Sequence, residues 1–199
     1  ELLDALTEWA LQWIDYGARF EADIVYYSAV YETTNFWSPT LFRNLFAPVQ
    51  RKLAQRSHDH GMKYINYVIT GVDGLTDEYK GLGIDALYGF DPVPPGDADM
   101  RKLKRVLGPE MALWGGLSPT WTVERGSEDD VRNAVREAME ILAPGGGFIL
   151  CPGGSVYFEE LAGLGAKKWD GKPEDSRSYR NLQVLFDAGL EYGKYPLKV

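Results

Sequence analysis

Residues 111–151 read MALWGGLSPTWTVERGSEDDVRNAVREAMEILAPGGGFILC, which is an apolar run, a helical pattern and a second apolar run. The helical pattern covers Glu128–Leu142, with Ser127 as its N-cap and acidic residues in its first turn. The two apolar runs, Met111–Leu117 and Gly147–Cys151, have the composition of strands that are buried on both faces of a parallel sheet. The segment therefore predicts a strand–helix–strand unit.

The same alternation continues through the rest of the chain, as is typical of parallel α/β folds. Three more strands are predicted, at Asp23–Val30, Lys63–Ile69 and Ala86–Phe90. The other predicted helices are an opening amphipathic helix from Leu2, then Ser38–His60, Leu75–Gly81, Asp97–Leu107 and Tyr179–Tyr192. A long polar loop, Gly163–Arg177, is predicted before the last of them.

Two parallel architectures compete for this pattern, an open doubly wound sheet and a (β/α)8 barrel. An open sheet that binds nucleotides usually has a glycine-rich turn after its first strand. Here the residues after Val30 read YETTNFWSP, without glycine, which favours the TIM barrel. A barrel needs eight strands, and this chain supplies about five β/α units. Because the amphipathic pattern is already under way at Glu1, we expect an upstream segment or a second copy to complete the barrel.

The composition of the chain limits the classes of function that it can have. The chain has 199 residues, as expected for one domain, and its formal net charge of −8, without basic runs, disfavours nucleic-acid binding. The single cysteine, Cys151, rules out an internal disulfide framework. No apolar stretch is long enough to cross a membrane, and no secretory signal is visible, so we expect a cytoplasmic protein without a membrane partner.

Four motifs, in this order, resemble those of the uroporphyrinogen decarboxylase superfamily. They are Trp37-Ser38-Pro39, then GIDAL at 83–87, then WGGL at 114–117 followed by RGS at 125–127, and APGGGFIL at 143–150. The resemblance covers essentially the whole chain and places it in the C-terminal part of the family's (β/α)8 barrel. It implies one of two activities, the haem-pathway decarboxylation or a corrinoid-linked methyl transfer.

Zinc-dependent methyltransferases of this superfamily carry a His-x-Cys pair at the end of one strand and a further cysteine after the last strand. In this chain those positions fall on Tyr67, Ile69 and Gly154. The resemblance therefore implies no zinc-thiolate site, and we predict no metal ligand. His58 and His60 look like a metal motif, but they lie between a helix and the next strand, at the stability face of the barrel.

The decarboxylase alternative is weakened but stays open. The glycine-histidine-glycine turn of that enzyme has no counterpart in Pro152-Gly153-Gly154-Ser155. Its substrate carries eight carboxylates and calls for a cationic rim, for which the strand-end loops offer little beyond Arg125. The family's best-known substrate arginines and catalytic aspartate, however, lie in the N-terminal part of the barrel.

Residues that follow the strand ends are the candidates for chemistry, because active sites of this fold lie there. Glu32 would become a useful general acid or base on burial, whereas a solvated loop residue is its alternative role. For Asp91 the alternative is a turn-initiating residue before Pro92. The expected catalytic residues are Glu32, Asp91 and Tyr67. The expected substrate-binding residues are Tyr27, Tyr31, Asn35, Trp114, Gly115, Gly116 and Arg125.

Within the first strand, Tyr26 and Tyr27 point to opposite faces, and the sequence does not show which ring lines the barrel interior. The Gly115-Gly116 pair would let a flat ligand approach the backbone, and close packing is its competing explanation.

The leading function is methyl transfer between a small methylated substrate and a corrinoid such as cobalamin, which acts as a co-substrate rather than a tightly bound cofactor. A corrinoid protein is a candidate partner. Uroporphyrinogen decarboxylation, and a non-catalytic fragment or corrinoid-binding subunit, are the alternatives.

Overall fold

The computed structural model describes residues 1–156 and 176–194. In these residues five strands form one sheet in the order β1 to β5, and each neighbouring pair is parallel. The strands are Ile24–Ser28 (β1), Lys63–Tyr67 (β2), Ala86–Tyr88 (β3), Ala112–Leu117 (β4) and Phe148–Pro152 (β5). All five predicted strands are confirmed, most of them shorter than expected. Their C-terminal ends meet at one edge of the sheet, which we call the mouth.

Six α-helices accompany the described strands. They are Leu2–Ala18 (α1), Pro39–Leu41 (α2), Ala47–Asp59 (α3), Met100–Val106 (α4), Glu128–Leu142 (α5) and Arg177–Tyr192 (α6). None of the helices described in the structure is long and apolar enough to cross a membrane. The sheet with its helices is part of a TIM barrel.

Several predicted boundaries need correction. The predicted helix Ser38–His60 is interrupted, because a π-helical segment, Phe42–Phe46, joins α2 to α3. A second π-helical segment, Pro119–Glu124, occupies what looked like a loop. The predicted helix Leu75–Gly81 does not form: a 3-10 turn at Asp73–Leu75 is followed by further turns.

The segment that was predicted to be a helix is short and lies between Gly74 and Gly81. Gly81 adopts a φ of +65°, which ends any helical path, and the buried ring of Tyr79 anchors the turns in the core. The predicted loop Gly163–Arg177 lies outside the described residues except for its end, where Ser176 caps α6.

The predicted helix caps Ser38 and Ser127 are confirmed, whereas the helix predicted from Asp97 begins at Met100. The Ser38 Oγ accepts a hydrogen bond from the Leu41 amide. Ser127 forms a capping box with Asp130, in which the Asp130 amide donates to the Ser127 Oγ and the Ser127 amide donates to the Asp130 carboxylate. These caps satisfy amide groups that have no partner inside the helix.

The core lies between the helices and one face of the sheet. Tyr64, Leu87 and Leu113 point from adjacent strands into this layer and are fully buried. The other face, which we call the open face, carries Ile24 and Tyr26 of β1, each about half exposed at 50% and 53%. The alternation of side chains along each strand separates the two faces.

A hydrogen-bonded cluster around Asp85 ties the helical layer to the edge of the sheet opposite the mouth. The Asp85 carboxylate accepts hydrogen bonds from Lys63 Nζ (2.8 Å) and the Tyr64 amide (2.8 Å) and lies 2.6 Å from His58 Nε2. His60 similarly contacts Asp15 of α1. Both histidines of the HDH sequence therefore take part in contacts between elements.

Asp85 is expected to stabilise the fold in a pH-dependent way. Burial opposes ionisation, but the hydrogen bonds from Lys63, the Tyr64 amide and His58 lower the pKa of Asp85 overall. A carboxyl whose folded pKa is depressed contributes stability above its unfolded pKa, and this contribution is lost as the pH falls through the folded pKa. Asp85→Asn should therefore lower the free energy of unfolding by about 1–2 kcal/mol at pH 7.

Urea unfolding at pH 7 and below about pH 4 measures this effect, since the difference from the unsubstituted protein should shrink at the lower pH. The exposed Asp77→Asn variant removes the same charge and serves as the control. An equal loss at both pH values would contradict the role given to the carboxylate.

Candidate functional site

Four aromatic side chains gather on the open face towards the mouth. The rings of Tyr26, Tyr67 and Tyr88, from β1, β2 and β3, contact one another. Their centroids are 5.5 Å apart for Tyr26–Tyr67, 4.9 Å for Tyr67–Tyr88 and 6.0 Å for Tyr26–Tyr88. The Trp114 ring of β4 lies 4.8 Å from that of Tyr88. We call these four residues the aromatic cluster. Of its members, Tyr67 and Trp114 were expected at the site from the sequence.

The aromatic cluster is uncharged at neutral pH. Burial, followed by the neighbouring Tyr67 and Tyr88, raises the pKa of Tyr26 to about 12. Burial likewise raises the pKa of the Cys151 thiol to about 12, against a smaller opposing effect of a hydrogen bond with Trp114. Cys151 therefore stays protonated and is a weak nucleophile. The surface suits apolar or flat groups better than carboxylates.

Tyr27 lies on the opposite face of β1 from Tyr26. Its ring stacks on the buried Tyr64, with a centroid distance of 6.0 Å, and its hydroxyl donates a hydrogen bond to Glu32. Burial and then the neighbouring Glu32 raise its pKa. The structure thus corrects the expectation that Tyr27 contacts substrate, because this ring packs in the helical layer and Tyr26 takes the position on the open face.

Glu32 follows β1 at the mouth and turns into the layer between the sheet and α3. Its Oε2 accepts a hydrogen bond of 2.7 Å from Gln50 Nε2, and Gln50 Oε1 accepts one of 3.2 Å from Asn66 Nδ2. Burial raises the pKa of Glu32, although the hydrogen bonds from Tyr27 and Gln50 work in the other direction. The predicted desolvation of this carboxyl is present, and both of its oxygens already accept protein hydrogen bonds.

Asp91 follows β3 and is also buried. Its Oδ1 accepts a hydrogen bond from the Val93 amide and its Oδ2 accepts one from Ser118 Oγ, both of 2.8 Å. Burial raises the pKa of Asp91 while these bonds partly oppose the shift. The contact with Val93 is that of a turn-initiating aspartate, and the contact with Ser118 joins the loops after β3 and β4. A catalytic role for Asp91 stays a prediction.

Most of the sequence is similar to that of a known protein family. The chain matches the family described as "Uroporphyrinogen decarboxylase (URO-D)" over residues 1–160. The chain belongs to the uroporphyrinogen decarboxylase family. A search of curated proteins finds no match to the sequence.

Among solved structures, a methyltransferase from Methanosarcina mazei is similar to this member of the uroporphyrinogen decarboxylase family, with a TM-score of 0.71 at 18% identity. The similar region covers 96% of this chain and 48% of that protein. The chain therefore spans about half the length of its structural neighbour. At this identity the likeness concerns the fold, and it agrees with a partial TIM barrel.

Tyr67, Ile69 and Gly154 occupy the positions at which zinc-dependent family members carry their metal ligands. A β-carbon added to Gly154, in the loop after β5, would lie 3.1 Å from the hydroxyl of Tyr67 at the end of β2. The two positions are therefore neighbours across the mouth. A phenol at Tyr67, an apolar side chain at Ile69 and no side chain at Gly154 do not fit a zinc-thiolate site. Among the described residues, no group of three His, Cys, Asp or Glu side chains could hold a metal ion.

Tyr31 and Asn35 belong to the loop that follows β1 in this family member. Asn35 Nδ2 donates to Thr70 Oγ1 over 2.5 Å, which joins this loop to the one after β2. Tyr31 is exposed, and its carbonyl oxygen accepts a hydrogen bond from Trp37 Nε1. Both residues lie in the loop at the mouth, and the contacts described here join them to neighbouring loop residues.

Gly115, Gly116 and Arg125 have packing roles in the structure. A β-carbon on Gly115 would lie 3.2 Å from the Phe90 ring, and one on Gly116, whose φ is +95°, would lie 3.2 Å from Ala138 of α5. The glycine pair thus fits the close-packing explanation. The guanidinium of Arg125 lies over the Trp121 ring, 4.6 Å from its centroid.

A set of buried polar side chains lies between the sheet and the helical layer, and the sequence analysis did not predict it. Gln50 of α3, Asn66 of β2 and the hydroxyls of Tyr64 and Tyr79 are buried, and both hydroxyls and Asn66 Oδ1 have no partner in the described structure. The available signal was Gln50 and Asn66, which are polar residues at positions where the helical and strand patterns call for apolar ones.

Glu32 should make stability fall as the pH rises. Its folded pKa is raised, so its protonated form is favoured in the folded protein, and stability is lost as the pH climbs from the unfolded to the folded pKa. In Glu32→Gln this loss should disappear, because the amide keeps the shape without the charge. The free energy of unfolding of both proteins, measured from pH 4 to pH 8, tests this pH dependence. Glu137→Gln, at an exposed position, is the control. A pH profile that the Glu32 substitution leaves unchanged would contradict the assignment.

Proposed function

We propose that this chain is part of a barrel enzyme that transfers a methyl group between a small methylated substrate and a corrinoid co-substrate, without a zinc-thiolate site. The observation that carries the proposal is the neutral aromatic cluster on the open face, formed by Tyr26, Tyr67, Tyr88 and Trp114. Aromatic rings bind methyl groups and flat macrocycles through buried apolar area and dispersion.

In the described part of the chain, two arginines near this region are engaged by other side chains. Arg125 is already placed over Trp121, and Arg43 of the π-helical segment pairs with Glu78. A substrate with eight carboxylates would need several cations that converge on it to offset their desolvation. The aromatic cluster provides apolar surface instead, which favours a methylated substrate over uroporphyrinogen.

Tyr67 is the residue that we assign to the chemistry. In the proposed reaction the methyl carbon exchanges its bond to a substrate heteroatom for a bond to reduced cobalt, which supplies the electron pair, and the heteroatom takes up one proton. The Tyr67 hydroxyl lies at the mouth next to Gly154, where a hydrogen bond to the heteroatom would stabilise its developing charge. Glu32 and Asp91 hold the surrounding loops through the hydrogen bonds described above.

Corrinoid binding is the first expected outcome. Addition of cobalamin should change its ultraviolet–visible spectrum and quench tryptophan fluorescence, and Trp114→Ala should weaken the affinity about tenfold, as the loss of one aromatic contact implies. Tyr192→Ala, which removes an aromatic ring from the contact between α6 and Arg136 of α5, is the matched control and should leave the affinity unchanged. Absence of any spectral change at saturating cobalamin would remove the support for a corrinoid reaction.

Methyl transfer itself is tested with Tyr67→Phe, which removes only the hydroxyl. We expect this variant to bind cobalamin normally and to transfer methyl groups about 100-fold more slowly, measured from the cobalt absorbance with a panel of methylated amines, thiols and phenols. Trp121→Phe outside the aromatic cluster provides the control. Conversion of uroporphyrinogen to coproporphyrinogen by the unsubstituted protein would instead establish the decarboxylase.

A further inference from the structure

Three side chains form a chain of hydrogen bonds that runs from the mouth into the helical layer. It begins at Glu32 in the loop after β1, passes through Gln50 of α3 and ends at Asn66 of β2. We call these three residues the amide relay. Glu32 keeps part of its surface exposed, whereas Gln50 and Asn66 are fully buried. A proton can therefore reach the carboxyl from the mouth, while the two amides depend on protein groups for their hydrogen bonds.

The donors of the amide relay all point towards Glu32. Asn66 Nδ2 donates to Gln50 Oε1 over 3.2 Å, and Gln50 Nε2 donates to Glu32 Oε2 over 2.7 Å. The hydroxyl of Tyr27 donates to the other carboxyl oxygen, Oε1. Both oxygens of Glu32 thus accept hydrogen bonds, which is the arrangement of an ionised carboxylate, because a protonated carboxyl also has an O–H to donate.

This direction has a cost at each end of the relay. At one end, Asn66 Oδ1 is buried and has no hydrogen-bond partner in the part of the chain that the structure describes. A buried acceptor without a donor destabilises the folded state. At the other end, burial disfavours the charge on Glu32, and no basic side chain of the described residues forms an ion pair with it. The ionised state therefore leaves both an unpaired acceptor and an uncompensated charge.

The same three side chains can be paired in the opposite direction. When Glu32 carries a proton on Oε2 and both amide groups turn by half a turn, Oε2 donates to Gln50 Oε1, and Gln50 Nε2 donates to Asn66 Oδ1. The heavy-atom positions stay the same, because each amide oxygen exchanges places with its nitrogen. A separation of 2.7 Å suits an O–H···O bond as well as an N–H···O bond to a charged oxygen, and 3.2 Å suits N–H···O in either direction.

We propose that the amide relay is a proton-driven switch, in which protonation of Glu32 reverses the direction of the whole chain of hydrogen bonds. In the ionised state the donors point from β2 towards the mouth, and in the protonated state they point from the mouth towards β2. One proton comes from solvent, and the new O–H bond is the one covalent change. The reversal gives Asn66 Oδ1 the donor that it lacks. It also turns the amide next to Tyr67 of the aromatic cluster, so a proton bound at the mouth changes β2 as well.

Glu32 is the group of this layer, within the described residues, that titrates between about pH 4 and 9. The ionisable side chains that face it are three tyrosines: Tyr27 of β1, Tyr64 of β2 and Tyr79 in the turns after β2. Burial is the largest influence on each of these hydroxyls and raises the pKa of all three. The tyrosines therefore stay neutral across this range, and the charge that changes is that of Glu32.

The charged side chains of the surrounding elements are engaged elsewhere or lie on the surface. Those with ion pairs or hydrogen bonds to other groups are Arg43, Arg56, His58, His60, Lys63, Glu78 and Asp97. Those that are exposed on α3 are Arg51, Lys52 and Asp59. A change of the amide relay in this pH range is therefore assigned to Glu32. The switch does not depend on whether the enzyme transfers methyl groups.

The midpoint of the switch is measured from the side-chain amide resonances of Gln50 and Asn66 in ¹⁵N-labelled protein. Both should shift with pH at one common midpoint, above the usual glutamate pKa of about 4.3. Neither should shift in Glu32→Gln, which can donate and accept as the protonated acid does. The exposed Glu137→Gln is the control and should keep both shifts. Amides that do not shift, that have different midpoints or that still shift in Glu32→Gln would overturn the switch.

Neutron diffraction from deuterium-exchanged crystals shows the direction itself, because it locates the deuterons on each amide. Crystals on either side of the midpoint should show the oxygen and nitrogen of both amides exchanged, and a deuteron on Glu32 Oε2 at the lower pH alone. The same amide orientation at both pH values contradicts the proposal. A water molecule that donates to Asn66 Oδ1 at both pH values does so too, since the acceptor would then have a donor without any reversal.

Tyr27→Phe gives an independent measurement. It removes a hydrogen bond that the charged carboxylate accepts, so the common midpoint of the two amides should rise by about one pH unit. Tyr31→Phe, which removes the hydroxyl of an exposed ring in the same loop, is the matched control and should leave the midpoint unchanged. An unchanged midpoint in Tyr27→Phe would show that the titrating group is not Glu32.

Discussion

All five strands run in the same direction, and this single constraint determines where everything else in the molecule lies. Parallel strands must be joined by crossovers, and because each right-handed crossover here leads to the next strand in sequence, the helices lie over one face of the sheet. The same direction brings every strand end to the mouth, so that Tyr67, Tyr88 and the loops with Glu32 and Asp91 become neighbours although they are far apart in the sequence. The chemistry available at the mouth is a consequence of strand direction.

The two buried carboxyls show burial and hydrogen bonding acting on the same group in opposite directions. Glu32 and Asp91 both have raised pKa values, a property shared by many catalytic acids. Each also has both oxygens engaged by protein donors, and one donor of each belongs to a neighbouring element: Gln50 of α3 for Glu32, and Ser118 after β4 for Asp91. Through these contacts the two carboxyls join neighbouring elements at the mouth.

The sequence predicted all five strands and the caps Ser38 and Ser127, because apolar runs and capping residues are local signals. It could not choose between Tyr26 and Tyr27, since alternation says that two neighbouring aromatic residues face opposite sides but not which side is which. It also failed at Leu75–Gly81, where the buried Tyr79 ring and a left-handed glycine override a helical pattern. The network of Glu32, Gln50 and Asn66 depends on three separate elements, and no local pattern reveals such a contact.

The aromatic cluster and the cavity between α1 and β1 are physically linked through Tyr26. The three tyrosine rings lie only 4.9–6.0 Å apart, so no ring-sized gap separates them and a ligand must lie across their outer surface. Tyr26 is the most exposed of them and also lines the cavity between α1 and β1. The outer surface of the three rings is therefore continuous with that cavity. A methyl group or a flat ring placed there gains more buried apolar area than it would on an isolated ring.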